Sequence, residues 1–167
     1  MSTPAYLQRL FRHGILSNYR ILDALRMLSR PIEEELQILA HVLQTEKLWF
    51  LSLEGLDAGS PETWPRLTLQ EAEDFVRING DTARAYISRL DEKQLRGTVR
   101  YTSARGDLFR NTVVDILTHL TQHGSYHRAQ INRLLREQGD RPVSLDFIGF
   151  ARQGWEDARL PGDDPGQ

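Results

Sequence analysis

The chain has 167 residues, 40% of them apolar, with a net charge of −2 and no cysteine. This length suits a single domain, and the lack of cysteine excludes disulfides, thiolate metal ligands and a cysteine nucleophile. A near-neutral charge with scattered basic residues argues against nucleic-acid binding. The first residues lack the apolar core of a signal peptide, and no apolar run approaches the ~18 residues of a membrane span. We therefore expect a soluble, cytoplasmic protein without a membrane partner.

Apolar residues recur at helical spacing in four long segments, which predicts an all-α chain. These segments run from Pro4 to about Leu28, from Ile32 to Leu53 with Pro31 opening the helix, from Thr68 to about Leu90, and from Thr112 to Gln138. Long connections follow the second and third helices. Four amphipathic helices joined in this way favour a compact four-helix bundle over a solenoid.

The connecting segments carry weaker signals. Glu54 to Leu67 contains two glycines and two prolines, and we expect Trp64 to anchor it. Asp91 to Arg110 is irregular; its alternating stretch Val99 to Thr102 allows a short hairpin before a turn at Arg105 to Asp107, but we expect no sheet. Residues Ser144 to Trp155 are apolar enough to pack back on the bundle as about one helical turn. We place a single domain at 1–155 and a flexible tail at 156–167.

Two histidines interrupt the apolar stripe of the fourth helix. His123 lies seven residues after Ile116, and His127 lies seven after Leu120. Because side chains at positions i and i+4 lie one above the other, both rings can converge on one ion. Two buried neutral rings without an ion would leave several polar nitrogens without partners. The pair therefore predicts half of a metal site.

His41 is the candidate for a third ligand, because it shares a face of the second helix with Ile38 and Leu48. Taken alone, such a histidine is more often a hydrogen-bonded core residue. It would join the pair if helices two and four faced each other. His119 is turned about 80° away from His127, so we expect it beside the site or on the surface. We leave His13 unassigned.

Four segments together resemble the DinB or YfiT-like family of metalloenzymes, which is distinct from the DNA polymerase that shares the name. They are AHVLQTEKLWF, a YT segment, DILTHLTQHGSYHRAQINRLLREQG and SLDFIGF, and the likeness runs from about Leu10 to Arg152. The resemblance implies an up, down, down, up bundle and a divalent metal on His41, His123 and His127. It further implies a homodimer. The family that the chain resembles includes thiol-dependent transferases and isomerases, which use thiols such as mycothiol or bacillithiol.

Three histidine ligands would leave an open coordination position for a small-molecule substrate. The leading hypothesis is metal-activated transfer of a low-molecular-weight thiol to an electrophile; the alternatives are metal-assisted hydrolysis and a non-catalytic dimeric scaffold with a structural metal. Nitrogen donors suit zinc, nickel, iron, copper and cobalt. Zinc and nickel are the leading candidates for the cofactor, with iron or manganese next.

Other side chains have two interpretations each. Glu46 could act as a base near the site or be a solvated partner of Lys47 or an arginine. Ser125 lies between the paired histidines but lacks an evident acidic partner, so we expect it on the helix surface. Aromatic residues could wall a pocket or pack in the core; they are Trp49, Phe50, Tyr101 and Phe147.

Overall fold

The computed structural model describes residues 1–56, 59, 61–102 and 106–152. These residues form four long helices, two short helices and one hairpin. The long helices are α1 (Thr3–Arg26), α2 (Glu33–Leu53), α3 (Leu69–Ser88) and α5 (Val113–Glu137). The smaller elements are α4 (Glu92–Leu95), β1 (Thr98–Thr102), β2 (Leu108–Thr112) and α6 (Phe147–Arg152).

Local sequence signals explain most helix ends. A capping box begins α3, since the Thr68 hydroxyl accepts from the Glu71 backbone and the Glu71 side chain accepts from the Thr68 backbone. Gly139, just after α5, takes a positive φ of 83°, as a glycine that ends a helix does. One boundary was wrong: α2 begins at Glu33 with Ile32 as its N-cap, so Pro31 lies before the helix instead of in its first turn.

The four long helices run up, down, down, up, as the resemblance implied. Arg26 at the end of α1 pairs with Glu73 at the start of α3, so these two helices are antiparallel. Asn79 donates to the Leu43 carbonyl, and Arg89 pairs with Glu54 at the far ends, so α2 and α3 are parallel. On the other side of the bundle α5 packs against both α2 and α1. This arrangement places the middle of α5 opposite the middle of α2.

The connection between α3 and α5 is more ordered than the sequence predicted. Strands β1 and β2 pair antiparallel with Thr98 opposite Thr112, so the expectation of no sheet was wrong, although the short hairpin is confirmed. Tyr101 explains its stability, because its ring packs against Trp49 at 4.7 Å and its hydroxyl donates to Asn111. Of the predicted turn, Arg105 lies outside the described residues.

Two apolar clusters fill the two ends of the bundle. A layer of polar side chains, contributed by all four long helices, separates the clusters. One cluster centres on Leu22, Leu39 and Leu135, and the other on Phe11, Phe50 and Leu117. The polar layer consists of side chains near the midpoint of each helix, namely Ser17, Asn18, Glu46, Asn79 and Arg128. Buried polar groups at this density need partners from neighbouring helices. The layer thus fixes how the helices meet in the middle of the molecule.

The segment after α5 packs back on the bundle, as expected, and forms α6. His13, left unassigned from the sequence, donates from Nε2 to the Leu145 carbonyl at 2.8 Å, and its ring meets Phe147 and Phe150 edge-on. Burial lowers the pKa of His13, and the neutral ring therefore serves to dock this segment. Trp155, the predicted domain end at 155 and the predicted tail at 156–167 lie outside the described residues.

Among the described helices, none has a stretch long and apolar enough to cross a bilayer.

Candidate metal centre

Three histidine rings converge between α2 and α5. His123 and His127 project from one face of α5, and their ring centroids are 4.4 Å apart. The His41 ring on α2 lies 5.0 Å from the first and 4.7 Å from the second. One nitrogen from each ring lies within 4.8 Å of the other two. The structure therefore brings together all three residues that the sequence singled out.

The spacing of the nitrogens fits a shared cation. The Nε2 atoms of His41 and His123 are 3.2 Å apart. Two nitrogens on one tetrahedral zinc ion, each bonded at about 2.0 to 2.1 Å, lie roughly 3.3 Å apart. The observed separation is thus that of two ligands in one coordination sphere. Three neutral nitrogen donors also match the preferences of zinc, nickel and related ions, so the cluster could hold such a metal.

Hydrogen bonds at the outer nitrogens orient two of the rings. The Nδ1 atom of His41 donates to the Thr63 carbonyl at 2.7 Å, and Nδ1 of His127 donates to the Gln130 side-chain oxygen at 3.0 Å. Each bond fixes the proton on Nδ1 and leaves a lone pair on Nε2. The Nδ1 atom of His123 is buried, and within the described ranges it has no hydrogen-bond partner. This third ring is positioned by its neighbours instead.

The environment keeps the His41 and His123 rings neutral, which is the state that binds metals. Burial is the main cause that lowers the pKa of His123 to about 4, and the nearby rings of His127 and His41 lower it further. Burial also lowers the pKa of His41, against the opposing effect of its bond to the Thr63 carbonyl. Neutral pH therefore leaves the His41 and His123 nitrogens free to act as ligands.

Trp64 covers the cluster from the connection after α2. Its ring stacks on His41 with centroids 3.8 Å apart and planes within 3°, and it meets His127 edge-on at 5.8 Å. The sequence predicted that Trp64 anchors this connection, but it did not indicate that the indole would stack on a candidate metal ligand. The indole therefore restricts solvent access to one side of the site.

Two further side chains lie where the sequence placed them. His119 is exposed, and its ring is 5.5 Å from that of His123. Ser125 is exposed and donates to the Thr121 carbonyl of the preceding turn. Both expectations, a position beside the site for His119 and the helix surface for Ser125, are confirmed.

Behind the cluster, the polar layer contains a desolvated acid and a buried base. Loss of water around Glu46 raises its pKa to about 7, while Arg128 and a hydrogen bond from Asn79 work in the opposite direction. The pKa of Arg128 falls to about 10, mainly because the guanidinium is buried. Glu46 is therefore not a solvated partner of Lys47. Arg128 was missed from the sequence, where its only signal was a charge on a face that also carries Leu135.

Comparison with known proteins agrees with this architecture. The sequence pattern described as the DinB family matches residues 2–158. The chain is 25% identical to "Protein DinB" of Bacillus subtilis (strain 168) in an alignment of 158 positions, and the match covers 83% of this chain and 90% of that protein. Its fold is similar to the crystal structure of a DinB-like protein from Bacillus cereus ATCC 10987, with a TM-score of 0.54 and 22% identity, over 80% of this chain and 89% of the other. A helical bundle with a histidine cluster between α2 and α5, and a family pattern that spans nearly the whole chain, place this protein in the DinB family.

Proposed function

We propose that this protein is a divalent-metal-dependent enzyme that transfers a low-molecular-weight thiol to a small electrophile. The observation that carries the proposal is the convergence of three imidazoles with two of their outer nitrogens already bonded. Closed structural sites use four protein ligands, whereas three leave a position for a substrate. A divalent ion bound there would lower the pKa of a coordinating thiol and so supply a nucleophile near neutral pH.

The residues of the chain would prepare this site in three ways. His41 and His127 present their Nε2 lone pairs because Thr63 and Gln130 hold the proton on the opposite nitrogen. Neutral rings leave the positive charge of the ion uncompensated, which favours an anionic sulfur over a neutral one. Trp64 shields the His41 side from water and so strengthens that electrostatic preference.

The proposed reaction is balanced without a redox partner. The thiol loses its proton to solvent, a sulfur–carbon bond forms on the electrophile, and the leaving group departs with the electrons of the bond that breaks. The chain itself has no cysteine, so the thiol must be a cosubstrate. We propose zinc or nickel as the ion, with iron or manganese as alternatives. The predicted homodimer stays a prediction.

The proposal is tested by incubating metal-loaded protein with monochlorobimane and a panel of thiols, including bacillithiol, mycothiol and glutathione. We expect thioether formation, detected by fluorescence and mass spectrometry, that requires both the metal and one particular thiol. A chelator should abolish turnover, and addition of the ion should restore it. Failure of every thiol would contradict the proposal. Ester cleavage that needs the metal but no thiol would support hydrolysis instead.

Gln130 is expected to tune metal binding without touching the ion. Replacing Gln130 with alanine removes the acceptor that holds the His127 ring, and loss of such a partner typically weakens metal affinity by about 10- to 100-fold. A competition titration with a chromophoric zinc chelator would measure the change. Gln138→Ala, at the exposed position directly after the same helix, is the matched control and should alter the affinity less than twofold. Equal zinc affinities in the two variants would contradict a role for Gln130 in orienting the His127 ring.

A further inference from the structure

A second candidate site lies inside the bundle, at the level of the polar layer. It is a cavity of about 310 Å³ between α1, α2, α3 and α5. None of the three candidate metal ligands lines it, although Leu120, which contributes to its wall, lies on the same side of α5 as His127. Its volume is at the lower end of the range for small-molecule sites, which is about 300 to 1,000 Å³.

The cavity walls combine a large apolar area with few charged groups. Phe11, Phe50 and Phe147 supply aromatic surface, while Glu46 and Arg128 supply the charges. Of the aromatic residues that the sequence suggested for a pocket, Phe50 and Phe147 line this cavity, whereas Trp49 and Tyr101 pack on each other. An apolar pocket with a few fixed polar groups is typical of a site that orients a small amphiphilic molecule.

Gly14 helps to keep this space open. It lies in the interior of α1, where glycine is less favourable than alanine, and its backbone is helical. A Cβ atom added at Gly14 would meet nothing within 4 Å, so no neighbouring chain needs the close approach that usually explains a helical glycine. The absence of a side chain at Gly14 therefore enlarges the cavity and does not serve close packing of helices.

Arg128 brings a buried guanidinium group to the cavity wall. The side chain is only 3% exposed, and it donates to Asn18 Oδ1 at 3.0 Å and to Ser125 Oγ at 3.4 Å. A guanidinium group has five N–H donors, and among the described residues these two oxygens are the acceptors that it bonds. Gly124 leaves room for the group beside α5, since a Cβ atom there would lie 2.8 Å from Nη1. A buried cation with spare donors is a binding site for an anionic oxygen.

Glu46 shares the cavity with Arg128 but forms no ion pair with it in the described part of the chain. Because the pKa of Glu46 is near 7, about half of its population is neutral at neutral pH and can donate a hydrogen bond. It therefore compensates the charge of Arg128 only in part. An anionic group could enter between them without strong repulsion.

We propose that this cavity binds a small organic carboxylic acid, with its carboxylate on Arg128 and its apolar body among Phe11, Phe50 and Phe147. The proposal is independent of the metal centre, because none of these residues belongs to the histidine cluster. A neutral analogue of the same shape should bind more weakly, since it cannot use the charge of the guanidinium.

The test is a calorimetric titration of the full chain, freed of metal with a chelator and then desalted, so that the carboxylate cannot bind an ion. The probes are 3-phenylpropionate and its neutral amide. We expect one saturable site for the acid with a Kd at or below about 1 mM, and binding of the amide weaker by about tenfold or more. Absence of saturable binding of the acid up to about 10 mM, or equal binding of acid and amide, would overturn the proposal.

Two variants locate the binding in this cavity. Gly14→Leu fills the space and should abolish binding, while Ala85→Leu, which adds the same side chain on the exposed face of α3, should leave it unchanged. Arg128→Met should weaken binding by about tenfold or more, while Arg133→Met on the exposed face of α5 should not. If Arg128→Met fails to fold, the Gly14 pair still decides the question. Unchanged affinity in Gly14→Leu would overturn the proposal.

Discussion

Replacing His123 with alanine is expected to weaken the affinity for zinc by about a hundredfold or more, because the change removes one of three nitrogen donors. The Nε2 atom of His123 lies 3.2 Å from that of His41, at the centre of the cluster. Among the described residues the cluster has no fourth member that could replace the lost donor. Stability of the metal-free protein should change by less than about 1 kcal/mol, since the ring is only half-buried and its Nδ1 has no partner. Competition titration and urea unfolding measure the two quantities.

His119→Ala is the matched control for this experiment. It removes an imidazole one turn before His123 on the same helix, yet His119 is exposed and lies outside the cluster. Its zinc affinity should stay within about twofold of the unmodified protein. Similar losses in both variants would mean that zinc binds adventitiously to surface histidines. A large loss of metal-free stability in His123→Ala would instead indicate a mainly structural role for the ring.

Replacing Glu46 with glutamine is expected to stabilise the protein, and the gain should grow as the pH rises. Burial raises the pKa of Glu46 from an ordinary 4.5 to about 7, so the folded protein holds this proton more tightly than the unfolded chain does. The contribution of the neutral acid is complete below pH 4.5 and is lost as the pH rises through 7. Glutamine stays neutral and can still accept the hydrogen bond from Asn79.

The size of this effect follows from the same two values. At pH 8 the free energy of unfolding of Glu46→Gln should exceed that of the unmodified protein by up to about 3 kcal/mol, and the gain should fall below about 1 kcal/mol at pH 5. Urea unfolding of metal-free protein at both pH values measures the difference. Glu62→Gln, which neutralises an exposed carboxylate, should show almost no gain at either pH. A loss of stability in Glu46→Gln at pH 8 would contradict the assigned environment.

The candidate ligands were predictable because periodicity alone places them. His123 and His127 occur at the spacing of the apolar residues of α5, and those apolar residues mark the face that the helix buries. The same pattern predicts the four long helices, since each has one apolar face. His41 could be paired with them only by assuming that α2 faces α5, which the bundle then satisfies.

The polar layer could not be predicted, because its members meet across the bundle from helices far apart in sequence. Arg128 and Asn18 are 110 positions apart, and Glu46 and Asn79 are 33 apart. Each residue type usually lies in solvent, so a single sequence gives no reason to bury it. The pairing of the two hairpin strands was not predicted for a similar reason. Tyr101 packs against Trp49, which is far away in the sequence, and local alternation over four residues does not reveal that contact.

We propose that three imidazoles, one from α2 and two from α5, hold one divalent ion. X-ray absorption at the zinc edge of protein loaded with one equivalent of zinc tests this most directly. We expect scattering from three imidazole rings at about 2.0 to 2.1 Å, falling to two rings in His41→Ala. A spectrum dominated by water and carboxylate oxygens, or one that does not change in His41→Ala, would contradict the assignment of this cluster as the metal centre.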